Sequence, residues 1–365
     1  MSNKKKIITI VIIFLLVIIV AIFTSKDNAT YAVNYTLVDT VIRESKGTTW
    51  SSGAEGVYNI TYKDEDGQTF GNDYRYIGAN PKNFVKFNND LYQIIGVFDE
   101  NSHGIEGKQL VKLIRARILG AYSWGVHNNN LINGTQESYS TDWSGSNHTT
   151  PTNLNVLLNE YFYNKTTTSD KYGNCVDWTY YNFSSSNNDY RSDSCDKFIL
   201  YGIDKKVRNY IQKSTWYLFG NNQGHSKNTS FLCERGLYTK CSSGANGLYD
   251  GTYQDNIGLM YASDYLYANG YFNNTQNENS ASEYYGVNNW LFNSYEWTLS
   301  IHSNQDVISA SYVYHTGYIV AEQSDDNIQR ANAIRPTFYL KEDVYVTGGN
   351  GSFDNPYTLD CDTCS

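Results

Sequence analysis

The first pattern along this chain is an unbroken apolar run, Ile7–Phe23 (IITIVIIFLLVIIVAIF), in which Thr9 is the single polar residue. About seventeen residues of helix rise roughly 26 Å, near the hydrocarbon thickness of a bilayer. Lys4, Lys5 and Lys6 stand directly before the run, and only Lys26 follows it closely. The positive-inside rule therefore leaves residues 1–6 as a cytoplasmic tail, makes 7–23 a single-pass membrane anchor, and places the remainder outside. The alternative is a cleaved signal peptide with Thr30-Tyr31-Ala32 as its cleavage site, although signal cores are usually about 7–15 residues. Both readings export the remainder of the chain. Residues 24–56 mix Ser, Thr, Asn and Gly with few apolar positions and read as a stalk or lead-in.

From residue 57 the pattern changes to a period of two. Val57, Tyr58, Ile60 and Tyr62 lead into Lys63-Asp64-Glu65-Asp66-Gly67, and Asp-Gly between alternating runs predicts a hairpin turn. The DxD at Asp64 and Asp66 lacks the further ligands of a calcium loop. Extended runs are then expected at Tyr74–Ile77, Asn83–Phe87, Leu91–Phe98 and Val111–Ile118, punctuated by Gly78-Ala79-Asn80-Pro81 and Asn88-Asn89-Asp90. Short strands so spaced predict an antiparallel meander. Val111–Ile118 is a further alternating run, with Val111, Leu113 and Ala116 against Lys112, Arg115 and Arg117.

Two stretches carry the helical period instead. Leu154, Leu157, Leu158 and Tyr161 fall at i, i+3, i+4 and i+7 behind Pro151-Thr152-Asn153, which supplies an N-cap. Ile203, Val207, Tyr210 and Ile211 predict a second helix near Ile203–Lys213. Between them, Thr166–Asp196 is polar and holds Cys175 and Cys195, as expected of a disulfide-stapled surface insertion. Further short strands are expected at Trp216–Phe219, Ile257–Tyr261, Trp297–Ser300, Tyr312–Val320, Thr337–Leu340 and Tyr357–Leu359. No internal repeat, heptad or proline-rich linker interrupts residues 57–365, which predicts one α+β domain, rich in antiparallel strands with a few short helices.

Composition narrows the function. The 365-residue chain carries a net charge of −9, which argues against nucleic acid, because phosphate binding needs a clustered basic face. Lys205-Lys206-Val207-Arg208 is the one dense basic run beyond the anchor and reads as a solvated face. The 6 cysteines suit an exported protein. Many pairings are open to them, and short loops favour Cys175–Cys195, Cys233–Cys241 and Cys361–Cys364. The lone CxxC, Cys361–Cys364, has no second pair to complete a metal site.

Several stretches in order, namely Tyr74–Phe98, Ser214–Gly220, Glu234-Arg235-Gly236, Ile257–Ala268 (IGLMYASDYLYA), Asn289–Ser300 (NWLFNSYEWTLS), Ile334–Leu340 (IRPTFYL) and Gly348–Leu359, resemble a group of bacterial exported proteins with one N-terminal anchor. The resemblance covers roughly residues 74–360 and implies a surface protein without an established activity. The second half, about 200–360, also resembles the C-type-lectin-like fold in the version shared with formylglycine-generating-enzyme-like domains. The calcium-lectin signature Glu-Pro-Asn or Gln-Pro-Asp with Trp-Asn-Asp is absent from the sequence, and no cysteine lies near the matching strands except the terminal CxxC. Neither activity is therefore carried over. Asp264 and Arg335 lie in the two most specific motifs and are expected to form a structural ion pair.

No catalytic, metal or cofactor site is expected. The chain has no GxSxG and no GxxxxGK[ST]. Its 6 histidines are scattered through polar loops, and Asp264 with Glu283 is one of many carboxylate pairs any acidic chain offers. Aromatic residues remain. Tyr261, Tyr265, Trp290, Trp297 and Tyr312 are the candidate ligand-binding rings, since sugars stack apolar faces on flat rings; the competing reading makes them core. The expected function is non-catalytic recognition of an extracellular glycan or protein at the cell surface. A structural envelope component is the alternative and an extracellular hydrolase the third reading.

Overall fold

Asp64 organises the first hairpin. Its Oδ1 accepts from the amides of Asp66 and Gln68, so this carboxylate is spent on the turn. The turn joins strands β1 (Gly56–Lys63) and β2 (Thr69–Ile77), paired antiparallel as the Asp-Gly signal predicts. The computed structural model describes residues 35–125, 131–132, 135–136, 152–176, 192–219, 227–238, 241, 252–270, 288–304, 307–321 and 330–361. The anchor expected at 7–23 lies outside these residues. Among the described residues no helix is long and apolar enough to cross a membrane.

The meander continues through β3 (Phe84–Phe87) and β4 (Asp90–Phe98). Asn88 and Asn89, both at φ +56°, make the tight turn between them; a two-residue hairpin turn with positive φ at both positions is the type I′ geometry, which asparagine tolerates. β5 (Leu110–Arg115) then pairs with β4. All six residues of β5 are buried, Lys112 and Arg115 included. The strand is central, and the cations meet carboxylates inside the fold.

After β6 (Gly120–Ser123) come α1 (Asn153–Val156), capped by Thr152 and continued by a π-helical turn over Leu157–Phe162, and α2 (Asp196–Tyr201). The expected helix at Ile203–Lys213 is replaced by a 3-10 turn at Arg208–Tyr210 and strand β7 (Ile211–Gln212). Ile203, Val207 and Ile211 are still buried, and the Ile203 amide bonds Phe162 O: an apolar stripe reports burial and does not require one continuous helix. β8 (Ser214–Tyr217) pairs with β9 (Thr252–Asp255), with α3 (Lys227–Glu234) between them in sequence. The stretch expected as a strand at Ile257–Tyr261 makes one bridge, Gly258 to Thr337, and then turns into α4 (Ala262–Tyr267). β10 (Glu296–Asn304), β11 (Val307–Val313), β12 (Ile319–Ala321), β13 (Ala331–Ile334) and β14 (Thr337–Leu340) complete the two main sheets.

The larger sheet has the order β1-β2-β4-β5-β14-β7, with β3 beside β4, and the smaller has the order β12-β11-β10-β13-β6. Within these two sheets all pairings are antiparallel except β10 with β13. Two tandem strand pairs link the sheets: β5 runs on to β6, and β13 runs on to β14 alongside them in the opposite direction. The crossing falls at Arg335-Pro336 on one chain segment and Ala116–Leu119 on the other. Proline suits that corner because no ladder hydrogen bond is demanded of its nitrogen. Arg115 braces the other corner, donating to Arg117 O, Ile118 O and Asp90.

Tyr35–Ser365 forms one compact unit. It begins inside the segment expected as a stalk, because the helix Leu37–Arg43 buries Leu37, Val38 and Val41 in the core. That architecture is α+β, with antiparallel sheets and few short helices.

Candidate functional site

Burial of β5 has a direct consequence at α4. Asp264, 1 % exposed, receives Arg75 Nη1 at 2.8 Å and Lys112 Nζ at 2.6 Å, one on each carboxylate oxygen. Its Oδ2 also accepts the Tyr261 amide at 2.9 Å, closing the first turn of α4. Burial alone would raise the Asp264 pKa, but Lys112, Arg75 and Arg235 outweigh it and hold the carboxyl well below the usual range. The expected pairing of Asp264 with Arg335 is corrected. Arg335 instead forms a two-pronged bond with Glu296, Nε and Nη2 at 2.7 and 2.8 Å, and donates to Leu291 O. The two motif residues serve different sheets, Asp264 facing β2 and β5 while Arg335 locks β10 to the β13–β14 corner.

Around Asp264 the network extends in two directions. Arg75 donates to Tyr62 Oη and to Asp73, and burial pushes Asp73 up to about 6 against the opposing pull of Arg75. On the other side Arg235 Nη1 reaches Glu234 at 2.7 Å and Ser263 Oγ at 3.3 Å; Glu234 also accepts from Ser300 and the Ser263 amide. Burial lowers Lys112 to about 8 even with Asp264 beside it. This lattice of paired charges pins α3 and α4 against the large sheet. Among the described residues, every group in it but two nitrogens of Arg235 and the Tyr267 hydroxyl has a partner.

The five rings singled out from sequence are core. Tyr261, Tyr265, Trp290, Trp297 and Tyr312 are all buried. The polar ends of four are consumed internally: Tyr261 Oη accepts the Tyr217 amide at 2.8 Å, and Tyr265 Oη donates to Gly317 O at 3.0 Å. Trp290 Nε1 donates to Tyr76 O and Trp297 Nε1 to Tyr122 O, both at 2.9 Å. They present no exposed platform, because strands packed on two sides leave large rings as the filling between sheets.

An aromatic surface lies one layer further out, and only Tyr312 links it to the expected set. Tyr295, 43 % exposed, sits in the turn before β10 at φ +54°, an outlier for a bulky side chain. Its ring lies parallel to Tyr312 at 6.4 Å and edge-on to Tyr314 at 5.3 Å, and its hydroxyl bonds His315 Nδ1 at 2.9 Å. Tyr314 is half-buried and His315 exposed. The Tyr-x-Tyr-His run at Tyr312–His315 signals this in sequence through the two-residue strand period. The contribution of Tyr295 depends on a turn conformation that the pattern does not encode.

Disulfides join Cys175 to Cys195 and Cys233 to Cys241, the pairing that short loops favour. Cys361 is disulfide-bonded, while Cys364 lies outside the described residues. Among the described residues no group of three or more His, Cys, Asp and Glu is placed to hold a metal ion. No family model, curated protein or solved structure matches the chain.

Proposed function

We propose that this chain is a membrane-anchored surface protein whose exported domain recognises a glycan without catalysis, through the ring cluster of Tyr295, Tyr314 and His315. The observation that carries the reading is Tyr295. A large ring held exposed in left-handed backbone costs on the order of 1 kcal/mol or more, and such strain gathers where a side chain must be presented. The ring is also preorganised by Tyr314 and by the His315 bond, which lowers the entropy cost of binding. A flat ring beside a hydroxyl and an imidazole matches the apolar face and hydroxyl rim of a sugar. The two disulfides and the apolar run at 7–23 support export and anchoring. The resemblance of residues 200–360 to C-type-lectin-like domains points the same way, with no calcium required.

The test is a glycan array probed with residues 35–365, first with calcium and then with chelator. Saturable, chelator-insensitive binding that disappears in Tyr295→Ala is expected. Binding that survives Tyr295→Ala refutes this site, and binding lost with chelator refutes the metal-free reading. A second reading, a self-associating envelope component, draws on different residues: Ile118, Ile199, Leu200 and Tyr201 are exposed, and Tyr201 lies against the Arg115 guanidinium that also binds Ile118 O. A protein that binds no sugar and sediments as an oligomer would favour it.

A further inference from the structure

Among the described residues of the buried network, Arg235 is the one arginine with an edge left over. Its side chain is fully buried, and the guanidinium lies over the Phe231 ring at 4.3 Å and the Tyr261 ring at 4.1 Å. Nη1 is engaged by Glu234 and Ser263. Nε and Nη2 are buried without a hydrogen-bond partner among the described residues. Because the guanidinium is planar, these two nitrogens form its side-on fork, with parallel N–H bonds directed away from Glu234. A buried, unmatched donor is costly, and more so on a charged group, so two on one cation call for a physical account.

The same molecule shows what such a fork takes. Arg335 uses its Nε and Nη2 to hold both oxygens of Glu296, at 2.7 and 2.8 Å. Arg235 offers the same two donors, in the same geometry, with no carboxylate of the described residues hydrogen-bonded to them.

The fork lies where the chain leaves α3. Gly236, the next residue, is exposed, and its φ of +66° turns the chain sharply away from the end of α3. Phe219 packs so tightly on that turn that a Cβ at Gly236 would fall 2.8 Å from its ring. The Tyr217 amide bonds the hydroxyl of the ring on which Arg235 stacks, and the Tyr217 side chain is half-buried beside Gly104. Two acidic groups, Asp99 and Glu100, act on Tyr217 with sign opposite to Arg235. They disfavour a multiply charged anion and leave a singly charged one acceptable.

The geometry points to a binding site for a small monocarboxylate, held two-pronged by Nε and Nη2 of Arg235 at the end of α3 and rimmed by Tyr217 and Phe219. It shares no residue with the Tyr295 cluster and stands or falls independently of glycan recognition.

The test is titration of residues 35–365 with sodium acetate, with inorganic phosphate, and with sodium chloride at matched ionic strength. The readout is the Nε–Hε resonance of Arg235, assigned through its side-chain carbons. Acetate is expected to shift that resonance saturably in the millimolar range, and phosphate at least tenfold more weakly. Arg235→Lys, which keeps the charge beside Glu234 but loses the fork, is expected to weaken acetate binding at least tenfold, followed by thermal shift. An Arg235 resonance that moves no more with acetate than with chloride overturns the site. A stronger response to phosphate overturns the carboxylate assignment. If Arg235→Lys does not fold, the wild-type titration alone decides.

Discussion

Asp264 and Arg75, 189 residues apart in sequence, meet at 2.8 Å in the centre of the domain, and neither is solvated. One carboxylate on the first turn of α4 thereby anchors cations from β2 and β5. Removing it strands the buried Lys112 and leaves Arg75 with Asp73 alone, whereas removing Lys112 leaves Asp264 paired with Arg75.

Asp264→Ala is therefore expected to destabilise by about 3–5 kcal/mol, the range for breaking a buried ion pair. Lys112→Met is expected to cost clearly less, because Met fills similar volume and the carboxylate keeps a cation. Urea unfolding of the two variants measures the difference. Equal losses would show that Arg75 does not hold Asp264 unaided.

Asp73 contributes to the acid side of the stability profile. Burial raises its folded pKa to about 6, so between its unfolded value near 4 and pH 6 the folded state holds the proton more tightly. An acid raised in this way stabilises most below its unfolded pKa, and that contribution is lost as pH rises through about 6. Asp264 has the opposite sign: its depressed value contributes above the unfolded pKa and is lost only in strong acid. The stability of wild type relative to Asp73→Asn is expected to fall by roughly 2–3 kcal/mol between pH 4 and pH 7, at about 1.36 kcal/mol per pKa unit. Chemical denaturation at several pH values checks the sign. A carbon-detected titration of the Asp73 carboxyl checks the midpoint.

Legibility in the sequence divides along local and non-local physics. The Asp-Gly hairpin, the Asn88-Asn89 turn, the Thr152 cap and the short-loop disulfides all depend on residues near one another, and all can be read. Lys112 and Arg115 cannot. Alternation assigns cations to solvent, and their burial depends on Asp264 and Asp90 arriving from elsewhere in the chain. The pairing of Asp264 with Arg335 fails for the same reason: it joins motif residues to each other, while the fold gives Asp264 two cations of the larger sheet and Arg335 a carboxylate of the smaller. Aromatic abundance does not sort filling from surface, since Trp297 is buried and Tyr295, two residues earlier, is exposed.

The Asn88-Asn89 turn yields a local prediction. Asn89 is exposed at φ +56°, where a β-branched residue is strongly disfavoured. Asn89→Val is expected to cost about 1–2 kcal/mol, and Asn89→Gly to be neutral or stabilising by a few tenths. Asn88 differs, because its side chain bonds Gly202 O and the Asp204 amide, tying the turn to the segment after α2. Asn88→Gly is therefore expected to destabilise although glycine suits its backbone. Thermal unfolding of the three variants separates backbone strain from side-chain bonding.

Tyr295 and Trp297 provide the sharpest contrast between presenting a ring and packing one. Trp297 is buried between Trp124 and Tyr312, and its indole donates to Tyr122 O on β6. Trp297→Ala leaves a large cavity and an unpaired carbonyl, for an expected loss of about 3–5 kcal/mol. Tyr295→Ala removes a half-exposed ring, and alanine is less burdened than tyrosine in the same left-handed backbone, so the expected loss is about 1 kcal/mol or less. Tyr295→Gly, which accepts φ +54° freely, is expected to be at least as stable as Tyr295→Ala. Differential scanning calorimetry of the three variants measures this directly. A Tyr295→Ala loss as large as that of Trp297→Ala would make Tyr295 a structural ring and remove the basis for assigning it to recognition.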